Sequence, residues 1–405
     1  MLRHHGDVEA RPGMLDFAVN VQGVAPPAWL RARLAARLTD LGRYPDADED
    51  RTARTAVAAR HGRTPDEVLL LAGAAEGFAM LPRLAPRLAA VVHPSFTEPE
   101  LALREAGVPV TRVILAPPYT LDPALVPDEA DLVVLGNPTN PTSVLHAAAT
   151  IRALRRPGRI IVVDEAFADA VVGGTPEGVV SAARRVGLGA AAASGGSAEP
   201  AAAPTRHGPA VDDRKATAPE PGRADSEPRP VPDCDGAAAG PGEPESLAGL
   251  RAPDILVLRS LTKTWALAGL RCGYLLGAPE LLSRLAHGRP HWPLGTLQLE
   301  AIIATAEPAA VAESRRHAHR IAADRAVMID RLSALGIDVH TPAAGPFLLL
   351  RVPDGALLRK RLADRHIAVR RADTFPGLGP DHLRVAVRGA AEVDQLIDGL
   401  RATLW

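Results

Sequence analysis

The apolar positions of this chain change period several times, and each change predicts an element. Residues 29–41 and 51–61 set Ala, Leu and Val at helical spacing among polar residues, and Gly62 closes the second stretch. Short apolar runs follow at 68–71, 89–92, 110–115, 132–135, 160–163 and 255–258. Most of them end in a turn of polar or small residues, such as Gly73-Ala74-Ala75-Glu76, His93-Pro94, Gly136-Asn137-Pro138 or Asp164-Glu165. Helical stretches run to about residue 81 and over 98–106, the latter closed by Gly107. Strands this short and continuously apolar predict an α/β fold with a mainly parallel sheet covered on both faces.

The rhythm breaks over 173–242, where Ala, Gly, Pro, Ser and scattered charges dominate. No aromatic residue occurs between Phe167 and Trp265, so this stretch lacks the apolar surface needed to offset ordering entropy. It reads as a disordered low-complexity insertion, with some helix over 182–193. Because the strand–helix rhythm resumes at 255–258, the insertion sits in a loop of one domain. Beyond Tyr274 a long Arg-rich helix is expected over 297–335, then strands at 347–352 and 383–387 around a helix at 355–364, and a last helix at 392–404. The expected division is an N-terminal arm and part of a small domain (1–40), a large domain (41–285), and a linking helix with a smaller α+β domain (286–405).

Composition narrows the class. Lys plus Arg total 46 against 47 Asp plus Glu, and this near-neutral balance argues against a nucleic-acid or polybasic membrane partner. No apolar run reaches the roughly 18 residues of a membrane-spanning helix. The N-terminal stretch lacks the apolar core of a secretory signal, so a cytoplasmic location is expected. Cys234 and Cys272 make neither a disulfide framework nor a zinc set, and the histidines show no metal-binding spacing. Only three cations are lysines: Lys215, Lys263 and Lys360. In a chain that otherwise uses Arg, a retained Lys points to amine chemistry.

Lys215 lies in the low-complexity stretch and Lys360 in a charged run, but Lys263 follows a strand in Ser260-Leu261-Thr262-Lys263, ahead of Gly269-Leu270-Arg271. That setting suits an amine that attaches to a phosphorylated carbonyl cofactor. Asp164 ends an apolar strand, where ligands bind in open α/β sheets, and could hold a proton on a ring nitrogen; it could equally cap a helix. Asn140, between Thr139 and Pro141, could aim its amide at a ring hydroxyl or simply make a turn. Ala74 and Ala75 begin a helix whose free amides suit an anion. Phe96 could stack on a flat group or belong to the core. Arg384 interrupts an apolar strand, which is costly unless it meets an anion, and Arg370 precedes it by fourteen residues. Arg371 and Arg388 read as surface.

Together these residues resemble the fold-type I pyridoxal-phosphate enzymes of the class I/II aminotransferase family, over nearly the whole chain except the insertion. The nearest likeness is to two phosphate-substrate branches, the threonine-phosphate decarboxylases of cobalamin biosynthesis and the histidinol-phosphate aminotransferases. His5-Gly6-Asp7, Asp16-Phe17-Ala18-Val19-Asn20, Asp164-Glu165-Ala166-Phe167 and Ser260-Leu261-Thr262-Lys263 look like the decarboxylase, and Phe167 stands where aminotransferases usually carry Tyr. Ser143 stands where Gly is common and Ala75 where Ser or Thr is, and the Gly345-Pro346-Phe347 stretch lacks an Asn often found there.

The resemblance implies a pyridoxal phosphate cofactor carried by Lys263 and held by Asp164, Asn140 and Phe96. Ala74, Ala75, Ser260 and Arg271 would hold its phosphate, with Tyr44 reaching across a homodimer with shared active sites. It implies a small phosphorylated amino-acid substrate, its carboxylate on Arg384 and its phosphate on Arg370 and His5. The expected reaction is decarboxylation of L-threonine O-3-phosphate, a carboxy-lyase activity; the alternative is an aminotransferase for histidinol phosphate.

Overall fold

The computed structural model describes residues 8–173 and 243–404. His5, Lys215, Cys234, the proposed helix at 182–193 and all but the first residue of the expected insertion lie outside the described residues. The chain opens with β1 (Leu15–Asp16), α1 (Ala28–Ala36), α2 (Ala47–His61), β2 (Val68–Leu71), α3 (Ala74–Met80), β3 (Ala89–His93) and α4 (Glu98–Glu105). There follow β4 (Val110–Ile114), β5 (Leu132–Gly136), α5 (Ala148–Arg152), β6 (Ile160–Asp164), β7 (Ile255–Ser260), β8 (Gly273–Leu276) and α6 (Pro279–Ala286). The remainder is α7 (Thr296–Ala306), α8 (Pro308–Ser333), β9 (Asp338–Val339), β10 (Phe347–Arg351), α9 (Gly355–Ala363), β11 (Ile367–Ala368), β12 (Arg370–Arg371), β13 (His382–Ala386) and α10 (Ala390–Leu404).

The central sheet has the order β2-β8-β7-β6-β5-β3-β4, in which β8 alone is antiparallel to its neighbours. Its continuously apolar strands are explained by burial on both faces. Val133, Leu135, Ile161, Val163 and Val257 pack on one side against Val57 of α2 and Ile302 of α7. Their neighbours Leu132, Val134, Val162, Leu256 and Leu258 pack on the other against Phe78 of α3, Leu103 of α4 and Leu282 of α6.

A second sheet, β12-β13-β10-β9, is antiparallel. Leu348, Leu350, Leu383 and Val385 turn one face of it into a core with Ile321 and Met328 of α8 and Leu396 of α10. Alternation along β13 therefore sends Arg384 to the opposite face from Leu383 and Val385. β1 pairs with β11 in parallel as a separate two-stranded sheet, and the Ala386 N–H of β13 donates to the Phe17 carbonyl (2.8 Å), which ties the start of the chain to the antiparallel sheet. Among the described residues no helix is long and apolar enough to cross a membrane.

Three expectations change. The helix expected over 297–335 is two helices, because Pro308 opens α8 and Glu307 before it is extended (φ −62°, ψ 146°). A proline ring excludes helical geometry from the preceding residue and offers no N–H. α2 begins at Ala47, earlier than its apolar spacing shows, because Asp46 and Glu49 form a capping box (2.8 and 3.3 Å). The strand β8 is a further element: its four residues carry no period, and Gly273 fits there because it has no Cβ, which would lie only 2.7 Å from the Arg259 carbonyl oxygen.

Candidate active site

The carboxyl ends of β5, β6 and β7 open onto a cavity of about 580 Å³. It is lined by Ala74, Ala75, Phe96, Asn140, Asp164, Ser260, Lys263, Arg271, Arg370 and Arg384, ten residues singled out from sequence. Tyr44 is not among the lining residues. It is 72% exposed and stacks on Trp292, their ring centroids 4.4 Å apart.

Asp164 ends β6, opposite Gly136 on β5 and Leu258 on β7. Burial raises its pKa to about 6; the Ala166 N–H, which donates to Oδ1 (3.0 Å), and the charge of Lys263 pull the other way. The next residue, Glu165, faces away into a buried charge cluster. It accepts from the Leu247 N–H (2.7 Å), the Ser246 hydroxyl (2.6 Å) and Arg259 Nη1 (3.1 Å). Arg259 also contacts Asp169 and Glu243, and Arg60 bridges the same two carboxylates (3.0 and 2.9 Å). Two guanidiniums thus neutralise most of three buried carboxylates behind the turn that carries Asp164.

Gly73, with φ +86°, leads into α3, and a Cβ there would come within 2.8 Å of Arg271 Nη2. Its lack of a side chain brings the Arg271 guanidinium against the first turn of α3, where the Ala74 and Ala75 amides lie. Arg271 itself has φ +61°, and Gln298 Nε2 donates to its carbonyl (2.8 Å). The Ser260 hydroxyl touches that of Thr262, which also lines the cavity.

On the other sheet Arg384 Nη1 donates to Asn140 Oδ1 (2.9 Å) and Nη2 to the Ala18 carbonyl. Its Nε is buried with no hydrogen-bond partner. Arg370 Nη2 donates to Thr374 Oγ1 (2.9 Å), and its guanidinium lies over Phe375.

Sequence reasoning gave no role to Asn20, Thr262 or Phe375, all of which line the cavity. Asn20 is buried, and its Oδ1 has no partner. The signal was local: Asp16 Oδ1 accepts from the Ala18 and Val19 N–H groups (2.7 and 2.9 Å), a turn that presents Asn20. Arg388, read as surface, is half-buried and donates to the carbonyls of Asp16 (3.0 Å) and Val19 (2.6 Å). A guanidinium on a strand end was needed to satisfy carbonyls of a segment far away in sequence.

An acid raised by burial at one end, a phosphate-type donor set of Arg271, Ser260 and helix amides at another, and the ring of Phe96 suit one kind of guest. It is a flat heteroaromatic with a basic nitrogen and a phosphate arm, with the Lys263 amine in the same cavity.

Residues 12–194 and 235–400 match the family described as aminotransferase class I and II. The chain is 48% identical over 386 residues to a histidinol-phosphate aminotransferase of Mycobacterium tuberculosis, covering 95% of this chain and 87% of that protein. It is 27% identical over 406 residues to the threonine-phosphate decarboxylase of Salmonella typhimurium, covering 96% and 91%. The crystal structure of the histidinol-phosphate aminotransferase from Clostridium acetobutylicum shares the fold, with a TM-score of 0.72 at 19% identity over 96% of this chain and 98% of that one.

Proposed function

The chain belongs to the class I and II aminotransferase family, whose members depend on pyridoxal phosphate, and on that premise we propose that it transfers the amino group of histidinol phosphate. The substrate class rests on the two guanidiniums of Arg370 and Arg384, which line one cavity with Lys263. The choice of substrate rests on the 48% identity to a protein named for that activity. The motifs alone had put decarboxylation of threonine phosphate first, and the lower likeness to that enzyme, 27%, moves it to second.

In this reading Arg271, Ser260, Thr262 and the Ala74 and Ala75 amides would hold the cofactor phosphate. Asp164 would keep a proton on the ring nitrogen, and Phe96 would cover one ring face. Asn140 Oδ1 is taken by Arg384, which leaves Nδ2 to donate to the ring oxygen. Bound pyridoxal phosphate supplies an electron-withdrawing ring that stabilises charge left at the substrate carbon. Lys263 Nζ would carry the cofactor and move the proton at that carbon. Arg370 would take the substrate phosphate and Arg384 the carboxylate of the amino-acid partner. We propose a homodimer in which Tyr44, exposed in the single chain, reaches the partner's cofactor phosphate.

One observation favours the second reading. Phe167, where aminotransferases usually carry Tyr, lines the cavity with its ring edge-on to Phe347 (4.9 Å), so no hydroxyl is offered there. The test is direct. Purified protein is given histidinol phosphate with 2-oxoglutarate, and separately threonine phosphate. Glutamate formation in the first and no CO2 in the second supports our reading; CO2 release without any need for 2-oxoglutarate overturns it.

A further inference from the structure

Ser143 is fully buried in the loop that follows Asn140, with φ +65°, a conformation that favours glycine. A side chain kept there works against the backbone, and its contacts show what it does. Ser143 Oγ accepts from the Gly345 N–H (2.7 Å), and the Ser143 carbonyl accepts from the Ala344 N–H (2.8 Å). Both partners belong to the turn that leads into β10. Gly345 allows the approach, since a Cβ there would lie 3.1 Å from Ser143 Oγ. Arg325 of α8 holds the same turn from its own side, donating from Nη1 to the carbonyls of Ala344 (2.9 Å) and Gly345 (3.2 Å).

The circuit closes on the candidate site. Phe347, two residues on from Gly345, lies under the Arg384 guanidinium (5.7 Å), and Arg384 donates to Asn140, three residues before Ser143. We propose that Ser143 is a positioning residue. Its hydroxyl clamps the turn before β10 to the Asn140 loop, and so fixes the distance between Arg384 and Asn140 that a substrate carboxylate must match. The inference rests on the reading of Arg384 as the carboxylate-binding residue.

Two variants separate positioning from mere stability. Ser143→Gly loses the hydroxyl but relieves the left-handed backbone, so its melting temperature stays near that of the parent. Ser143→Ala loses the hydroxyl and keeps the strain, so it melts lower. Both should raise KM for 2-oxoglutarate, measured with histidinol phosphate as amino donor, about five- to tenfold, with kcat within about twofold and pyridoxal phosphate affinity, read by absorbance titration, unchanged. Equal KM effects with unequal melting temperatures are the signature of positioning. An unchanged KM in Ser143→Gly, or a KM that follows melting temperature across the two variants, overturns the clamp. Arg384→Gln is measured alongside: if it leaves KM for 2-oxoglutarate unchanged, the carboxylate reading fails on its own account, whereas a raised KM there with an unchanged KM in Ser143→Gly refutes the clamp alone.

Discussion

Arg370 and Arg384 stand directly opposite each other across the antiparallel pair of β12 and β13. Both are buried, and burial together with the facing Arg370 lowers the proton affinity of Arg384. Like charges opposite on a sheet repel, so the pair is costly until an anion lies between them. Sulfate or phosphate should therefore raise the melting temperature of the protein already loaded with pyridoxal phosphate, whose own phosphate occupies the Arg271 and Ser260 donors, in a saturable way, by a few degrees. Arg370→Gln and Arg384→Gln should each weaken that shift and lower kcat/KM about 10- to 100-fold, the worth of one charged hydrogen bond. An anion response that survives both substitutions would remove the pair from the binding site.

Lys263→Arg keeps the charge and removes the transferable proton, since guanidinium does not deprotonate at working pH. The visible band of bound pyridoxal phosphate should vanish, and turnover should fall at least about a hundredfold. The melting temperature of the cofactor-free variant should match the parent. Retained turnover would show that the amine lies elsewhere.

Asp164 gives a pH dependence with a definite sign. Its pKa is about 6 in the folded protein against an ordinary 3.8 when unfolded. Between those values the folded state binds more protons, so stability of the cofactor-free chain falls as pH rises from about 4 to 6. This one group is worth up to about 3 kcal/mol over that window. Asp164→Asn should abolish its share of the fall in melting curves recorded across the window. In the parent, pyridoxal phosphate should abolish it too, because a protonated ring nitrogen favours the carboxylate.

The Arg259 cluster should govern stability. Arg259→Met leaves Glu165, Asp169 and Glu243 with Arg60 as their remaining guanidinium in the cluster, and should destabilise by about 3–5 kcal/mol in denaturant titration. Adding Glu165→Gln should recover part of that loss, because it removes one uncompensated charge. Additive losses in the double variant would mean the two residues do not interact.

Most strands of the central sheet were legible because a strand buried on both faces needs an unbroken apolar run, whatever its partners. Lys263, Asp164 and Asn140 were legible as candidates because each sits at a strand end or in the turn just after it, a relation within a few residues. The break at Glu307-Pro308 was missed, because the helical period on both sides masked the proline. Asn20 was harder: its value lies in a buried amide oxygen left without a partner, which appears only once the fold surrounds it.

By itself, then, the sequence determined six of the seven strands of the central sheet, the local settings of Lys263 and Asp164, and the family they resemble. Only the tertiary structure decided that Arg370 faces Arg384, that Ser143 meets Gly345, and that Arg259 gathers Glu165, Asp169 and Glu243. The physical reason is register. An apolar run says that a strand is buried, but which residue stands across from it depends on how far neighbouring segments slide, and side-chain packing across the finished sheets settles that.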